Sequence, residues 1–422
     1  MGKVHLGART RITVGREATY GYPWTVPAAG WKEFPETPGE TLKDNISSFT
    51  QNTLFADRMV RGISTGQHSP GGSLPFELMS RGQLTLFQYA LGGATDIYEY
   101  GDNTVKYRVF YGSQDEASFP SSIEGGDPET GVNVGGLTIR KWFLVENPSS
   151  DEDLSPDSFM LEYSGSKVNG FSLSVPTDGF VTGNFDIMSL KESQHDYYPG
   201  ASAGWTAGYW IVDPSAPPAE GLLEINDPAG EYISNYASPS ADRALTSVRL
   251  ANDASFSGYV KLGLQGSSPA IATVQAIDFN VTNNAERVQV VGNTQAYSIE
   301  FGRRQITGNL TVVLSDLTYY NYFKNETDLE LYLKFDASYP DAENEYLIFA
   351  FPRIRIGGEG SEAPTPSVTG PGPLSLTLPF QALRCASAIN LGEFTLPEYT
   401  DIYMIAQLDG AGSEVSASQF YL

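Results

Sequence analysis

Three short runs and three histidines in this sequence have residue types that could do chemistry. Gly62-Ile63-Ser64-Thr65-Gly66, with His68 close by, fits the pattern of a nucleophilic serine raised on a tight turn. That chemistry needs the serine between a strand and a helix. Here Ser69-Pro70-Gly71-Gly72 and a strand follow, so the run reads as a loop. Ser164-Gly165-Ser166-Lys167 has the spacing of a serine nucleophile and its lysine, but the companion motifs are absent and it reads as a turn leading into a strand. Asp151, Asp153 and Glu162 have the end spacing of a calcium loop. Pro156 stands where that loop needs glycine and Ser155 replaces an acidic ligand, which leaves a solvated acidic loop. His5, His68 and His195 are far apart, without metal-ligand spacing, and read as solvated loop residues. Cys385 is the only cysteine, which excludes an internal disulfide and a cysteine-rich zinc site. No phosphate-binding Gly-Lys-Ser/Thr motif is present. The expectation is a protein with no catalytic residue, no cofactor site and no metal site.

The elements that would position such groups are strands. Ile306, Gly308, Leu310, Val312 and Leu314 alternate with Gln305, Thr307, Asn309 and Thr311, the period of a strand with one buried face. Phe171, Leu173 and Val175 alternate likewise, as do Val181, Phe185 and Ile187, with Pro176-Thr177-Asp178-Gly179 between them. Residues 167–188 are therefore a predicted hairpin with a four-residue turn, and a second is predicted around Gly292-Asn293. Two short helices are predicted. One follows the capping-box spacing of Ser80 and Gln83, carries Leu84, Phe87 and Leu91 on one face, and stops at Gly92-Gly93. The other begins at Ser315 or Asp316 and runs through Leu317, Tyr320 and Phe323 to Asn325.

Composition agrees. Of 422 residues, 41% are hydrophobic and only 18% charged, enough for a large core and incompatible with global disorder. Abundant glycine, proline and aromatic residues point to short strands joined by turns. A net charge of −24 disfavours nucleic-acid binding through basic contacts. It suits either a surface along which DNA slides without sticking, or simple solubility in a salty environment. No apolar run approaches the roughly 20 residues that span a bilayer, and the N-terminal residues show no apolar signal region, which implies folding in a cytoplasm.

Each predicted helix follows the same pattern. Gly72-Ser73-Leu74-Pro75-Phe76-Glu77-Leu78 precedes the first, and Gly308-Asn309-Leu310-Thr311-Val312-Val313-Leu314 precedes the second. Strands at Leu137–Leu144 and Leu329–Phe335 follow, and strands at Val181–Ile187 and Leu374–Phe380 close each half. This order implies an internal duplication in an all-β chain: two tandem sandwich or barrel modules, each with one short helix, plus a small β insertion. The first module spans 1–193 with an N-terminal arm and a long 92–136 loop. A linker or small β insertion spans 194–270, the second module 271–385, and a C-terminal extension 386–422. Residues 357–373, rich in glycine, proline and glutamate, read as a mobile loop.

Several stretches together resemble the tail-tube proteins of long-tailed, siphovirus-type bacterial and archaeal viruses. They are Gly15-Arg16-Glu17-Ala18-Thr19-Tyr20-Gly21, 71–78 with its helix, 163–175 running on into 179–186, Phe279–Asn284, 306–310 and Leu378-Pro379-Phe380-Gln381-Ala382. The stretches 194–270 and after 386 depart from the family pattern. The resemblance implies a structural virion protein whose copies form stacked rings, with an inner β-barrel lining the channel for the viral genome. Its partners would be further copies of itself, the tape-measure protein and viral DNA in the lumen, the tail terminator and the tail-tip proteins, with no membrane. Such rings are usually sixfold, and counting modules favours a trimer with pseudo-sixfold symmetry over a hexamer. The lumen is expected to be acidic. The arm with Tyr20, Trp24 and Trp31, and the 92–136 segment with Tyr98, Tyr100, Tyr107 and Phe110, are candidates for ring-to-ring contacts or for covering their own sandwich. Other β-rich virion roles fit the same pattern: a head decoration, a tail terminator or the tube of a contractile system. A carbohydrate-binding sandwich using Trp205, Tyr209 and Trp210 is a reading from a different class.

Overall fold

The computed structural model describes residues 10–17, 20–21, 32–34, 37–50, 62–79, 83–98, 105–113, 136–143, 159–176, 178–198, 209–211, 222–223, 260–265, 270–271, 274–314, 316–339, 342–357, 364, 366, 374–387, 389 and 399–407. Among the described residues the chain is β except for two short helices. There every strand pairing is antiparallel, and nineteen strands form one hydrogen-bonded network.

The first half begins with β1 (Thr10–Arg16) and β2 (Lys32–Phe34), which pair with each other. Residues 37–43 then run beside a later strand and lead into a projecting hairpin, β3 (Ile46–Thr50) with β4 (Ile63–His68). Next come β5 (Gly71–Glu77), helix α1 (Leu84–Leu91) and a hairpin of β6 (Gly92–Tyr98) with β7 (Val105–Gly112). Strands β8 (Leu137–Phe143), β9 (Phe159–Val175), β10 (Thr182–Met188) and β11 (Lys191–Tyr198) follow in antiparallel succession. Two short strands, β12 (Tyr209–Ile211) and β13 (Leu222–Leu223), extend the sheet from β11.

The second half begins with β14 (Val260–Leu264) and β15 (Ala270–Ile271), then β16 (Val274–Thr282). A hairpin of β17 (Glu286–Val288) with β18 (Ser298–Glu300) leads into β19 (Gln305–Val313) and helix α2 (Thr318–Lys324). Strands β20 (Leu329–Tyr339), β21 (Ala342–Ile356), β22 (Ser375–Ala382) and β23 (Tyr403–Gln407) complete it.

β9 connects everything. Its first part pairs with β8 on one edge and β11 on the other, and its second part with β10 and β16. The change occurs at Gly165, whose φ of +62° only glycine adopts without strain. A Cβ there would also lie 2.6 Å from Leu190. The β9–β16 ladder, from Val175↔Ile277 to Gly170↔Thr282, is the central seam between the two halves, which β7 and β23 also join. Gly170 lets the backbones close, since a Cβ at that position would meet the Val281 carbonyl oxygen at 2.0 Å.

The alternating strands bury the faces expected of them. Phe171, Leu173, Phe185, Phe279, Leu310, Val312 and Leu378 share one core that spans both halves. A file of aromatic rings crosses the seam: Phe76 stacks on Phe185, Phe87 meets Phe185, Phe171 and Phe349 edge-on, and Phe279 meets Phe351 at 5.1 Å.

Three expectations about the architecture are corrected. Residues 92–98 and 105–112 are not loop but the strands of the β6–β7 hairpin, paired through β7 to β23; residues 99–104 and 114–135 lie outside the described part. Strand β23 lies in the stretch expected to be an extension, yet it sits between β21 and β7. The run at 62–66 is not a loop: Ile63–His68 is a strand followed by a further strand. The predicted hairpins at 167–188 and around Gly292 are present, as are both helices. Ser80 lies outside the described residues, and the Gln83 side chain folds back onto the Met79 N–H and the Glu77 carbonyl. The 357–373 segment lies almost wholly outside the described residues.

Phe87 is fully buried at the meeting point of the two halves. Phe87→Ala should lower stability by about 3–5 kcal/mol. Urea unfolding should remain a single transition, because one core serves both halves; separate transitions for the halves would contradict this.

Candidate assembly surfaces

Of the polar groups singled out in the sequence, Glu162, His195, Ser166, Lys167 and His68 bond or pack within the protomer, and His5 lies outside the described residues. Glu162 is on β9, not on a solvated loop, and forms a buried ion pair with Arg140 at 2.7 Å. His195 is on β11, also buried, with Nε2 3.3 Å from Glu162. Burial alone would raise the Glu162 carboxyl, but the His195 hydrogen bond and the Arg140 and His195 charges outweigh it and hold it below the usual glutamate value. Asp151 and Asp153 lie outside the described residues. Ser166 bonds to Ser189, and Lys167 is buried between the rings of Tyr20 and Phe301, so that run is a mid-strand bend rather than a turn before the strand. His68, on β4, bonds to Asp44. Among the described residues, no group of three or more His, Cys, Asp or Glu is placed to hold a metal ion, and no helix is long and apolar enough to cross a membrane.

Glu17 was quoted in the N-terminal resemblance without a role. Its carboxylate accepts hydrogen bonds from the N–H groups of Gly165 and Gly21 and from the Thr138 hydroxyl. It thereby fastens the N-terminal arm to the bend in β9. Burial pushes its pKa up to about 7, against the lowering effect of those three donors.

Two surfaces remain open. The first is the solvent face of the seam sheet, a groove of about 650 Å³ running across β10, β9, β16, β19 and β22. Ser174, Asn184, Asn280, Thr307 and Asn309 line it, with Asp278 held by the Asn309 amide at 2.9 Å. No lysine or arginine lines this groove.

The second is the pair of projecting hairpins. Phe49, Ile63, Val291 and Tyr297 are each more than 60% exposed there, and Ile46 and Val288 are exposed too. The His68 N–H donates to the Thr294 carbonyl and the Arg287 guanidinium to the Pro70 carbonyl, so the β3–β4 and β17–β18 hairpins form one projection. Sequence reading missed this surface. Ile46-Ser47-Ser48-Phe49-Thr50 has no period-two alternation, and every residue of that strand is exposed, so no pattern marked it.

A model of the phage tail tube protein family matches residues 7–382. The chain belongs to the phage tail tube protein family. It is a structural protein and not an enzyme, and membership implies homo-oligomeric assembly and a place in the virion tail. No curated protein matches it. The family match includes both hairpins, the seam and both helices, and ends at the close of β22.

For this tail tube protein the residues expected at ring-to-ring contacts are scattered. Tyr20 is half-buried under Lys167. Phe110 is buried in the core opposite Met404. Tyr98 and Tyr107 lie on β6 and β7, while Trp24, Trp31 and Tyr100 lie outside the described residues. Tyr209 and Trp210 lie on β12, and Trp205 is outside.

The raised Glu17 carboxyl has a consequence for pH. Between pH 4.5, where an unfolded glutamate loses its proton, and about 7, the folded state binds more protons, so stability falls as pH rises through that window. The loss is about 3 kcal/mol in all. Glu17→Gln should flatten this slope. Urea midpoints at pH 5 and 8 check it, and an unchanged slope in the variant would remove Glu17 as its source.

Proposed function

We propose that this tail tube protein is a siphovirus-type subunit built of two tandem modules, three copies of which close a pseudo-sixfold ring. The observation that carries the reading is that the strand pairings of one half match those of the other. β8 lies between β1 and β9 as β20 lies between β14 and β21. β11 and then β10 flank β9 as β23 and then β22 flank β21. β10 pairs with β5 as β22 pairs with β19. Residues 37–43 run beside β5 as β16 runs beside β19, and a projecting hairpin and a helix sit on either side of each. The β6–β7 hairpin is an addition to the first module, and β12–β13 extend it at its end.

In this reading the seam sheet is an arc of the tube wall, and further copies continue it until no edge is left open. The groove becomes lumen. Its serine, threonine and asparagine side chains, with Asp278, give DNA no cation to bind, so the genome moves without sticking. The tape-measure protein occupies the same channel before DNA, and the tail terminator and tail-tip proteins meet the ends of the tube. The hairpin projection stacks ring on ring, joined by the arm and the 92–136 segment. Exposed apolar groups on such a projection are the mark of a surface meant to be covered.

Negative-stain microscopy and solution mass of the purified chain test this. The expected result is rings with a central hole and three chains each; six chains per ring would overturn the two-module trimer. Val291→Asp with Phe49→Asp should leave rings intact and abolish stacks. Stacks of unchanged length would reassign ring-to-ring contact to the arm and the 92–136 segment.

A further inference from the structure

The two helices occupy equivalent places and differ sharply in burial. Every residue of α1 except Thr85 is buried, whereas no residue of α2 is. Leu317 and Tyr320, at the start of α2 and within it, are 67% and 37% exposed. Tyr319, Tyr322 and Phe323 pack against their own core, and α2 rests on β21, so the helix is seated with one side open.

What covers α1 comes partly from its own β6–β7 hairpin and partly from across the seam. Asn283, at the end of β16, donates its side-chain amide to the Ala90 carbonyl at 2.9 Å and to the Val168 carbonyl at 3.2 Å. Arg304 donates to the Leu91 carbonyl, and Phe349 meets Phe87 at 5.6 Å. These contacts cap the carbonyls that a helix end leaves without an internal partner. Helix α1 ends at its cap Gly92, at positive φ, and α2 at its cap Asn325, followed by Glu326 at positive φ, so the carbonyls of Phe323 and Lys324 stand at the end of α2 where that of Ala90 stands in α1.

The first half holds a counterpart of Asn283. The carbonyl of Asn283 accepts from the Gly302 N–H, and the carbonyl of Asn45 accepts from the Ser69 N–H, each at 2.9 Å where the projecting hairpin returns to the sheet. Asn283 is buried in the seam and Asn45 is exposed.

We infer that α2 docks on the first half of a second copy of this chain, with Asn45 of that copy capping the Lys324 end as Asn283 caps the Ala90 end. The internal seam is thus the template of the seam between chains. The inference rests on the ring assembly proposed above and adds which surfaces meet. It commits to a second copy because the protein already contains one built version of the joint.

The test uses the full chain with Cys385→Ser, Asn45→Cys and Lys324→Cys, treated with a short bis-maleimide after assembly. The expected result is a covalent closed oligomer that survives denaturation, while either single-cysteine variant stays monomeric on the gel. Tyr320→Glu, at an exposed position, should leave the melting of the protomer unchanged and raise the concentration needed for rings by about tenfold or more. Rings seen by microscopy whose double-cysteine chains fail to cross-link would overturn the inference and leave the ring reading standing. Absence of rings from the parent chain would overturn both.

Discussion

The bend in β9 is the constraint on which the rest of the molecule depends. A strand of 17 residues cannot stay flat within a twisted sheet, and here it changes partners on both edges at Gly165. Before the bend it completes the first half, and after it one edge is given to β16. A side chain at Gly165 would strain the backbone and overlap Leu190, so the strand would have to straighten or part from its neighbours. The buried Glu17 carboxylate secures the same point from the N-terminal arm. Its raised pKa shows the strain of that choice: the carboxyl has three donors, but burial still outweighs them at neutral pH.

Much of the fold was legible because the strands that bury one face keep a period of two. Phe171, Leu173 and Val175 point into the core, and Ser172 and Ser174 line the groove. β23 was illegible for the opposite reason. Tyr403, Met404 and Ala406 are buried, and Ile405 packs on the same ladder, so no alternation marks the strand. The β6–β7 hairpin was hidden in the same way, since Phe110 and Tyr111 are consecutive and both buried. Glu162 and His195 were read as solvated loop residues, and Arg140 carried no reading at all. Only the fold brings residues from three strands together so that each satisfies the others. No pattern around Phe49 or Val291 separates an exposed apolar residue from one facing its own core.

Among the described residues, side chains that could do chemistry are engaged with one another, and the open groove is left mostly to uncharged polar groups. Titratable groups that could do chemistry are neutralised in pairs within the protomer: Glu162 with Arg140, Asp44 with His68, and Asp401 with Arg304. The open groove carries mostly amides and hydroxyls, which hydrogen-bond with water and exchange partners quickly. With −24 charges on the chain and no cation lining that groove, a polyanion meets no fixed counter-ion there.

The two halves are alike in pairing but not interchangeable. The β6–β7 hairpin exists only in the first, and β23 of the second half locks it in place, with Arg304 bonding to Asp401, Leu91 and Ser113 at once. In the proposed ring each chain presents its second half, with α2 open on one side, to the first half of the next, with Asn45 exposed. On that reading the contact joins unlike surfaces, so it propagates in one direction and ends when the ring closes. Two modules in one polypeptide would then build alternate seams covalently and leave half as many to form by collision. The internal seam, held by Asn283 and the ring contact of Phe87 with Phe349, is the geometry that the proposal carries over to the seams between chains.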